Sequence, residues 1–168
     1  MEAIKRRSFF GMLIGSISAA VGTIMVVPLF RFSSWPMFQK RGAADWFALG
    51  PVDSFKSATP VRAEIEVRKL DGWRVSTAKQ TVYVTRAGGE LRVLSAICSH
   101  LGCIVPWDAG AKQFVCPCHR GVFAPDGARV SGPPPRGLDA LPTKIEKGTL
   151  YVQYQYFRQL STKREVIG

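Results

Sequence analysis

All four cysteines and both histidines of this 168-residue chain fall within 22 positions, from Cys98 to His119. They form two boxes, CSHLGC at 98–103 and CPCHRG at 116–121, with twelve residues between them. Each box supplies one Cys and one His separated by one or two residues, plus a further Cys. Spacing this tight on two turns lets two loops close on one metal centre. Any fold this chain adopts must therefore bring both turns to a single point.

Two donor sets fit the residue types. A structural zinc held by two Cys and two His is permitted by ligand chemistry alone. Its spacing is unfavourable, because Cys98-x-His100 is closer than the gap of about two to four residues usual in a zinc knuckle. A four-cysteine site would need Cys116 and Cys118, again with one residue between them. In the second arrangement one Cys and one His from each box bind metal. The two cysteines left over then oxidise to a disulfide, provided the domain lies in an oxidising compartment.

The amino-terminal segment bears on that compartment. From Phe9 to Phe30 the chain runs FFGMLIGSISAAVGTIMVVPLF, 22 residues without a charge. As a helix rising ~1.5 Å per residue it reaches ~33 Å, enough to cross a bilayer. It is longer than the ~7–15 residues of a signal-peptide core, and no clear small-x-small cleavage site precedes Arg31. Residues 9–30 read as a retained transmembrane anchor, with Pro28 tolerated near its exit. Ahead of it, KRRSFFG resembles a bacterial twin-arginine export signal, an address for proteins exported already folded. Residues 1–8 are then cytoplasmic, and the rest lies outside. Arg31, Lys40 and Arg41 on the far side weaken the positive-inside asymmetry, so Arg6 and Arg7 carry the orientation. Gly11, Gly15, Ser18 and Gly22 form a small-residue stripe of the kind another membrane helix can approach. Residues 31–45, RFSSWPMFQKRGAAD, show no clean period and read as hinge and linker, with Trp35 and Phe38 suited to the headgroup zone.

From Trp46 onward the pattern is of short alternating segments. Val61, Ala63, Ile65 and Val67 alternate with charged residues, which suits a strand with one buried face. TVYVTR and ELRVLSAI flank Gly88 and Gly89 as the arms of a hairpin. KQFVC after DAGA and TLYVQYQY after KGT read as further strands, and no helical period is sustained. Residues 46–168 are thus one all-β domain of short antiparallel strands. The net charge of +11 comes from 23 Lys and Arg spread along the chain. That distribution reads as a solvated basic surface with no nucleic-acid partner.

The pattern C-x-H-x-G-C followed by C-P-C-H resembles the Rieske iron–sulfur proteins. The anchor, the β domain and the later SGPPPRGLD resemble the membrane-bound members over the whole chain. The resemblance implies one [2Fe-2S] cluster in which two histidines replace cysteines on one iron. Its ligands would be Cys98, His100, Cys116 and His119, with Cys103 and Cys118 in a disulfide. It also implies a Rieske-like antiparallel β domain with an inserted cluster-binding subdomain. Leu101 and Gly102 would cover the cluster, and Gly132, Pro133, Pro134 and Pro135 resemble the proline loop that caps it.

By the same resemblance the chain is the electron-transfer subunit of a cytochrome bc complex in the bacterial inner membrane, the cluster facing the periplasm. Its partners would be cytochrome b, a c-type cytochrome, quinol and membrane lipid. His119 would contact the quinol and accept its proton, with His100 the second exposed ligand. Two other family roles resemble this layout less well: the small subunit of arsenite oxidase, and the ring-hydroxylating ferredoxins, which lack the disulfide cysteines and the anchor. High-potential relatives follow the second-box histidine with Gly-Ser and then a tyrosine, whose hydroxyls donate to sulfur. Here Arg120, Gly121 and Phe123 occupy those positions. Fewer donors stabilise the reduced cluster less, which predicts a low potential and a menaquinol partner.

Overall fold

A computed structural model describes residues 6–38, 45–57, 59–71, 74–87 and 89–167. The chain divides into two units, Met1–Gly42 and Ala43–Gly168.

In the first unit Arg6–Phe38 form one α-helix, α1. By length and composition it is able to cross a membrane, and it is apolar around its circumference, with Ile24, Leu29 and Phe30 all exposed. A helix of that kind matches a lipid environment. At ~1.5 Å per residue its 33 residues reach ~50 Å, longer than a bilayer core. Residues 31–38, expected to be linker, are helical. Ser34 turns its hydroxyl back onto the Phe30 carbonyl at 2.7 Å, as Thr23 does onto Ala19 at 2.8 Å. No glycine interrupts this stretch, and Pro36 removes only one N–H from the last turn. Of the expected amino-terminal segment, residues 1–5 lie outside the described residues, as do residues 39–44 of the expected linker.

The second unit is built from antiparallel strands: β1 (Trp46–Pro51), β2 (Val61–Asp71), β3 (Arg74–Ala87), β4 (Glu90–Ser95), β5 (Trp107–Asp108), β6 (Gln113–Val115), β7 (Val122–Phe123), β8 (Arg129–Ser131), β9 (Ala140–Leu141), β10 (Thr143–Glu146) and β11 (Thr149–Gln153). A single 3-10 turn, Val52–Phe55, follows β1. Three sheets result, ordered β1-β11-β10, β2-β3-β4-β9 and β5-β6-β7-β8. The third is inserted between β4 and β9, and it is the expected cluster-binding subdomain.

Burial along β2 follows the alternation of its sequence, Ile65 inward and Arg62, Glu64, Glu66 and Arg68 outward. The expected hairpin pairs Ala87 with Glu90. Strand β3 differs, because Thr81–Thr85 are buried on both faces. Val82, Val84 and Val93 face one core, shared with Leu150, Val152 and Phe157. Tyr83 and Leu94 face a second, shared with Phe114, Phe123, Cys98 and Cys116. Three aromatic rings order that second core: Phe114 packs edge-on against Tyr83 and against Trp107, both at 4.8 Å. The β2-β3-β4-β9 sheet is therefore a central layer, and its second face is the floor beneath the two Cys/His boxes.

Candidate metal centre

Box 1 follows β4, box 2 joins β6 to β7, and the proline loop joins β8 to β9. The two boxes are built alike. In box 1 the Cys98 N–H donates to the Cys103 carbonyl at 2.8 Å and the Gly102 N–H to the Cys98 carbonyl at 3.0 Å. In box 2 the Cys116 N–H donates to the Gly121 carbonyl at 2.8 Å and the Arg120 N–H to the Cys116 carbonyl at 3.0 Å. Each box is thus a closed turn pinned at its first cysteine. The fifth residue of each turn is left-handed, Gly102 at φ 77° and Arg120 at φ 54°. Glycine adopts that conformation freely, whereas a residue with a β-carbon is strained there by about 1–2 kcal/mol. Arg120 takes the strained place, with its side chain exposed.

Cys103 and Cys118 form a disulfide that ties the end of box 1 to box 2. The Cys116 sulfur lies within 4.8 Å of both bonded sulfurs, but the bond removes those two as metal donors. Cys98 and Cys116 stay free, and both are buried. Burial pushes the Cys98 thiol above its usual range; a backbone hydrogen bond at His100 pulls it down, and the neighbouring Cys116 sulfur raises it again. Two buried thiols side by side need a cation to be held together as thiolates. The two imidazoles lie outward, His119 exposed and His100 half-buried, their ring centroids 4.9 Å apart and edge to face. Two thiols inside and two imidazoles outside match a two-iron group with unlike ligands on its irons, so the donor set fits a [2Fe-2S] cluster.

The proline loop presses on box 2. Pro134 is fully buried. A β-carbon on Gly121 would lie 2.4 Å from Pro134 Cγ, and one on Gly132 would lie 2.8 Å from Gly121 Cα. Position 121 must therefore lack a side chain while the loop sits where it does. Phe123 beside it is fully buried in the second core and brings no hydroxyl. Leu101 projects outward, 54% exposed.

Three residues of this region carry no spacing signal. Ser99, inside box 1, donates its hydroxyl to the Arg136 carbonyl at 2.7 Å, and the Arg136 guanidinium holds Asp139 at 2.9 and 2.7 Å. The stretch SGPPPRGLD contains both charges, but nothing in its order shows that they turn inward and pair.

Residues 45–142 match the family model of the Rieske [2Fe-2S] domain. The chain belongs to the Rieske family. Its similarity to the menaquinol:cytochrome c reductase iron-sulfur subunit of Bacillus subtilis is 32% identity over 153 residues, 89% of this chain and 91% of that protein. With the cytochrome b6-f complex iron-sulfur subunit of Chlorobaculum tepidum it shares 32% over 148 residues, 88% of this chain and 75% of that one. A structure of naphthalene 1,2-dioxygenase with indole bound aligns at TM-score 0.50 and 21% identity over 66% of this chain and 26% of that chain, a likeness of fold alone. As a Rieske protein the chain carries a [2Fe-2S] cluster and transfers electrons, which displaces the zinc alternative, and α1 fits a membrane anchor.

Proposed function

We propose that this Rieske protein is the membrane-anchored subunit of a quinol:cytochrome c oxidoreductase that takes electrons singly from menaquinol and passes them to a c-type cytochrome. Cys98 and Cys116 would hold one iron of the cluster, and His100 and His119 the other. When bound, the cluster supplies a one-electron acceptor whose added electron sits on the histidine side. The chain's own residues do the rest. In its deprotonated form the second ring nitrogen of His119 accepts the hydrogen bond and then the proton of a quinol hydroxyl, because a ligating imidazole has one nitrogen that binds no metal. The buried thiol side excludes water, and the disulfide keeps the boxes together between oxidation states.

The observation that carries this reading is the outward placement of His119 above two buried thiols, in a chain with an apolar helix at its start. Arg6 and Arg7 in the first turn of α1 support a cytoplasmic amino terminus, an anchor in the bacterial inner membrane and a cluster domain on the periplasmic side. Cytochrome b is the partner in the membrane. The names of the Bacillus subtilis and Chlorobaculum tepidum relatives favour a quinol complex over an arsenite oxidase. The absent hydroxyls at Gly121 and Phe123 favour menaquinol, since a weaker oxidant needs a more reducing quinol.

Anaerobic mixing of the detergent-solubilised, oxidised protein with a menaquinol analogue tests this. Appearance of the reduced-cluster electron paramagnetic resonance signal, with a yield that rises with pH as quinol protons are released, is the expected result. A cluster that dithionite reduces and menaquinol leaves oxidised at every pH overturns it.

A further inference from the structure

Three segments distant in sequence meet behind box 1. Ser99 stands between Cys98 and His100 and is 1% exposed. Its hydroxyl reaches the Arg136 carbonyl just beyond the proline loop, and its own carbonyl accepts the Leu160 N–H at 2.9 Å. Arg136 grips Asp139 with both arms of its fork and donates through Nη1 to the Ser161 carbonyl at 2.5 Å. The pair is nearly buried, 11% and 6% exposed, and the Asp139 carbonyl accepts the Ser95 N–H at the end of β4. The segment beyond β11 that supplies Leu160 and Ser161 is itself folded. Phe157 bridges Val166, Arg158 pairs with Glu165 at 2.9 Å, and Arg164 lies over the Phe157 ring and donates to the Ala140 carbonyl.

Box 1 is therefore held at both ends by different means. Its last residue, Cys103, is fixed covalently to Cys118. Its first residues are fixed by non-covalent bonds that converge on Ser99, and these come from Arg136 after the proline loop and from the carboxy-terminal segment. We infer that the Arg136–Asp139 pair is a positioning device that clamps the carboxy-terminal segment onto box 1, and so sets the placement and water exclusion of the Cys98–His100 side of the centre. The inference rests on the assignment of Cys98 and His100 as ligands proposed above.

The clamp acts through shape and solvent. A buried, bidentate arginine–carboxylate pair has a fixed geometry, and a third bond from the same guanidinium transmits that geometry to Ser161. With Leu160 seated on Ser99, the backbone beside two ligands is shut off from water. A Rieske centre with two thiolates and neutral imidazoles is uncharged when oxidised and carries one negative charge when reduced. Admitting water favours the charged form and raises the potential, and loosening Ser99 lets the His100 ring reorient.

The test uses the full chain ended by a stop codon after Gln159, alongside Arg136→Gln in the full-length protein. The truncation keeps Phe157 and the Arg136–Asp139 pair in the chain, while removing the Leu160 and Ser161 bonds together with the Arg164, Glu165 and Val166 contacts that fold the segment. Expected for the truncated protein are a Rieske resonance with shifted g-values, a higher midpoint potential and a several-fold faster thermal loss of visible colour. Arg136→Gln is expected to expose the bonds after Lys163 and Arg164 to trypsin several-fold faster than in the parent. A truncated protein with the parent's g-values, potential and colour half-life overturns the clamp, as does wild-type trypsin protection in folded Arg136→Gln. Should Arg136→Gln leave no folded protein, the truncation decides alone. A parent protein with no Rieske resonance would instead remove the ligand assignment, an outcome distinct from failure of the clamp.

Discussion

Replacing Arg120 by glycine should stabilise the domain although it deletes a residue of the centre itself. At φ 54° the arginine β-carbon crowds its own backbone, a strain of about 1–2 kcal/mol. Glycine relieves that strain but gives up about 0.4–1 kcal/mol through the greater freedom of the unfolded chain. The difference leaves a net gain of about 0.8 kcal/mol. The backbone bond from residue 120 to the Cys116 carbonyl, 3.0 Å, survives the change because it uses only the N–H. Arg120→Ala is the control: it removes the same charge and the same long side chain but keeps the β-carbon, so it retains the strain. Both proteins are unfolded with urea in detergent, and the circular dichroism of the bound cluster is followed. A gain of about 0.8 kcal/mol for Gly over Ala, or about 2–4 °C in Tm for a domain of this size, is expected. Equal stability of the two variants would refute the strain argument, since charge removal alone then accounts for any change.

Other consequences follow from the same geometry. Converting Cys103 and Cys118 to serine together opens a link between residues 15 apart in sequence and should cost about 3 kcal/mol, read as a lower urea midpoint; an unchanged midpoint would contradict it. Gly121→Ala drives a β-carbon to 2.4 Å from Pro134 Cγ and should destabilise by about 1–3 kcal/mol while displacing the proline loop, seen as changed cluster resonance; an unperturbed spectrum and stability would mean the loop yields freely. Burial pushes the Tyr154 phenol up to about 12, with a Ser95 hydrogen bond lowering it and Tyr156 raising it. Because its folded value lies above the unfolded one, the stability it contributes is complete below about pH 10 and is lost as pH rises through about 12. One tyrosine should thus ionise late in an ultraviolet phenolate titration and vanish from it in Tyr154→Phe, which also loses the 2.9 Å bond to Gln80.

The two Cys/His boxes are legible in the sequence because the donors proposed for the metal centre are neighbours along the chain. Cys98 with His100 and Cys116 with His119 lie within single turns, so little folding intervenes between spacing and site. Strand β2 is legible for a similar reason, its alternation of Ile65 with Glu64 and Glu66 being local. The centre of β3 shows the limit of that reasoning. Thr81–Thr85 are buried on both faces because this sheet lies between two cores, and alternation reports only on a sheet with one dry face. The helical run of residues 31–38 was obscured by Pro36 and two serines, which discourage helix in a peptide but are accommodated when Ser34 bonds back to Phe30. The clamp on Ser99 depends on partners 37 residues away at Arg136 and still further on at Leu160, and no local pattern registers such pairings. The strain at Arg120 had one available signal, the glycine at the matching position of box 1.

Redox titration of the full-length protein, followed by the Rieske resonance, shows whether the lost hydroxyl donors lower the potential of this centre. The missing hydroxyls at Gly121 and Phe123 predict a one-electron centre with a midpoint in the lower part of the roughly −150 to +300 mV Rieske range. A midpoint at the upper end of that range would contradict the account, because a centre without those donors would then be as oxidising as one that has them.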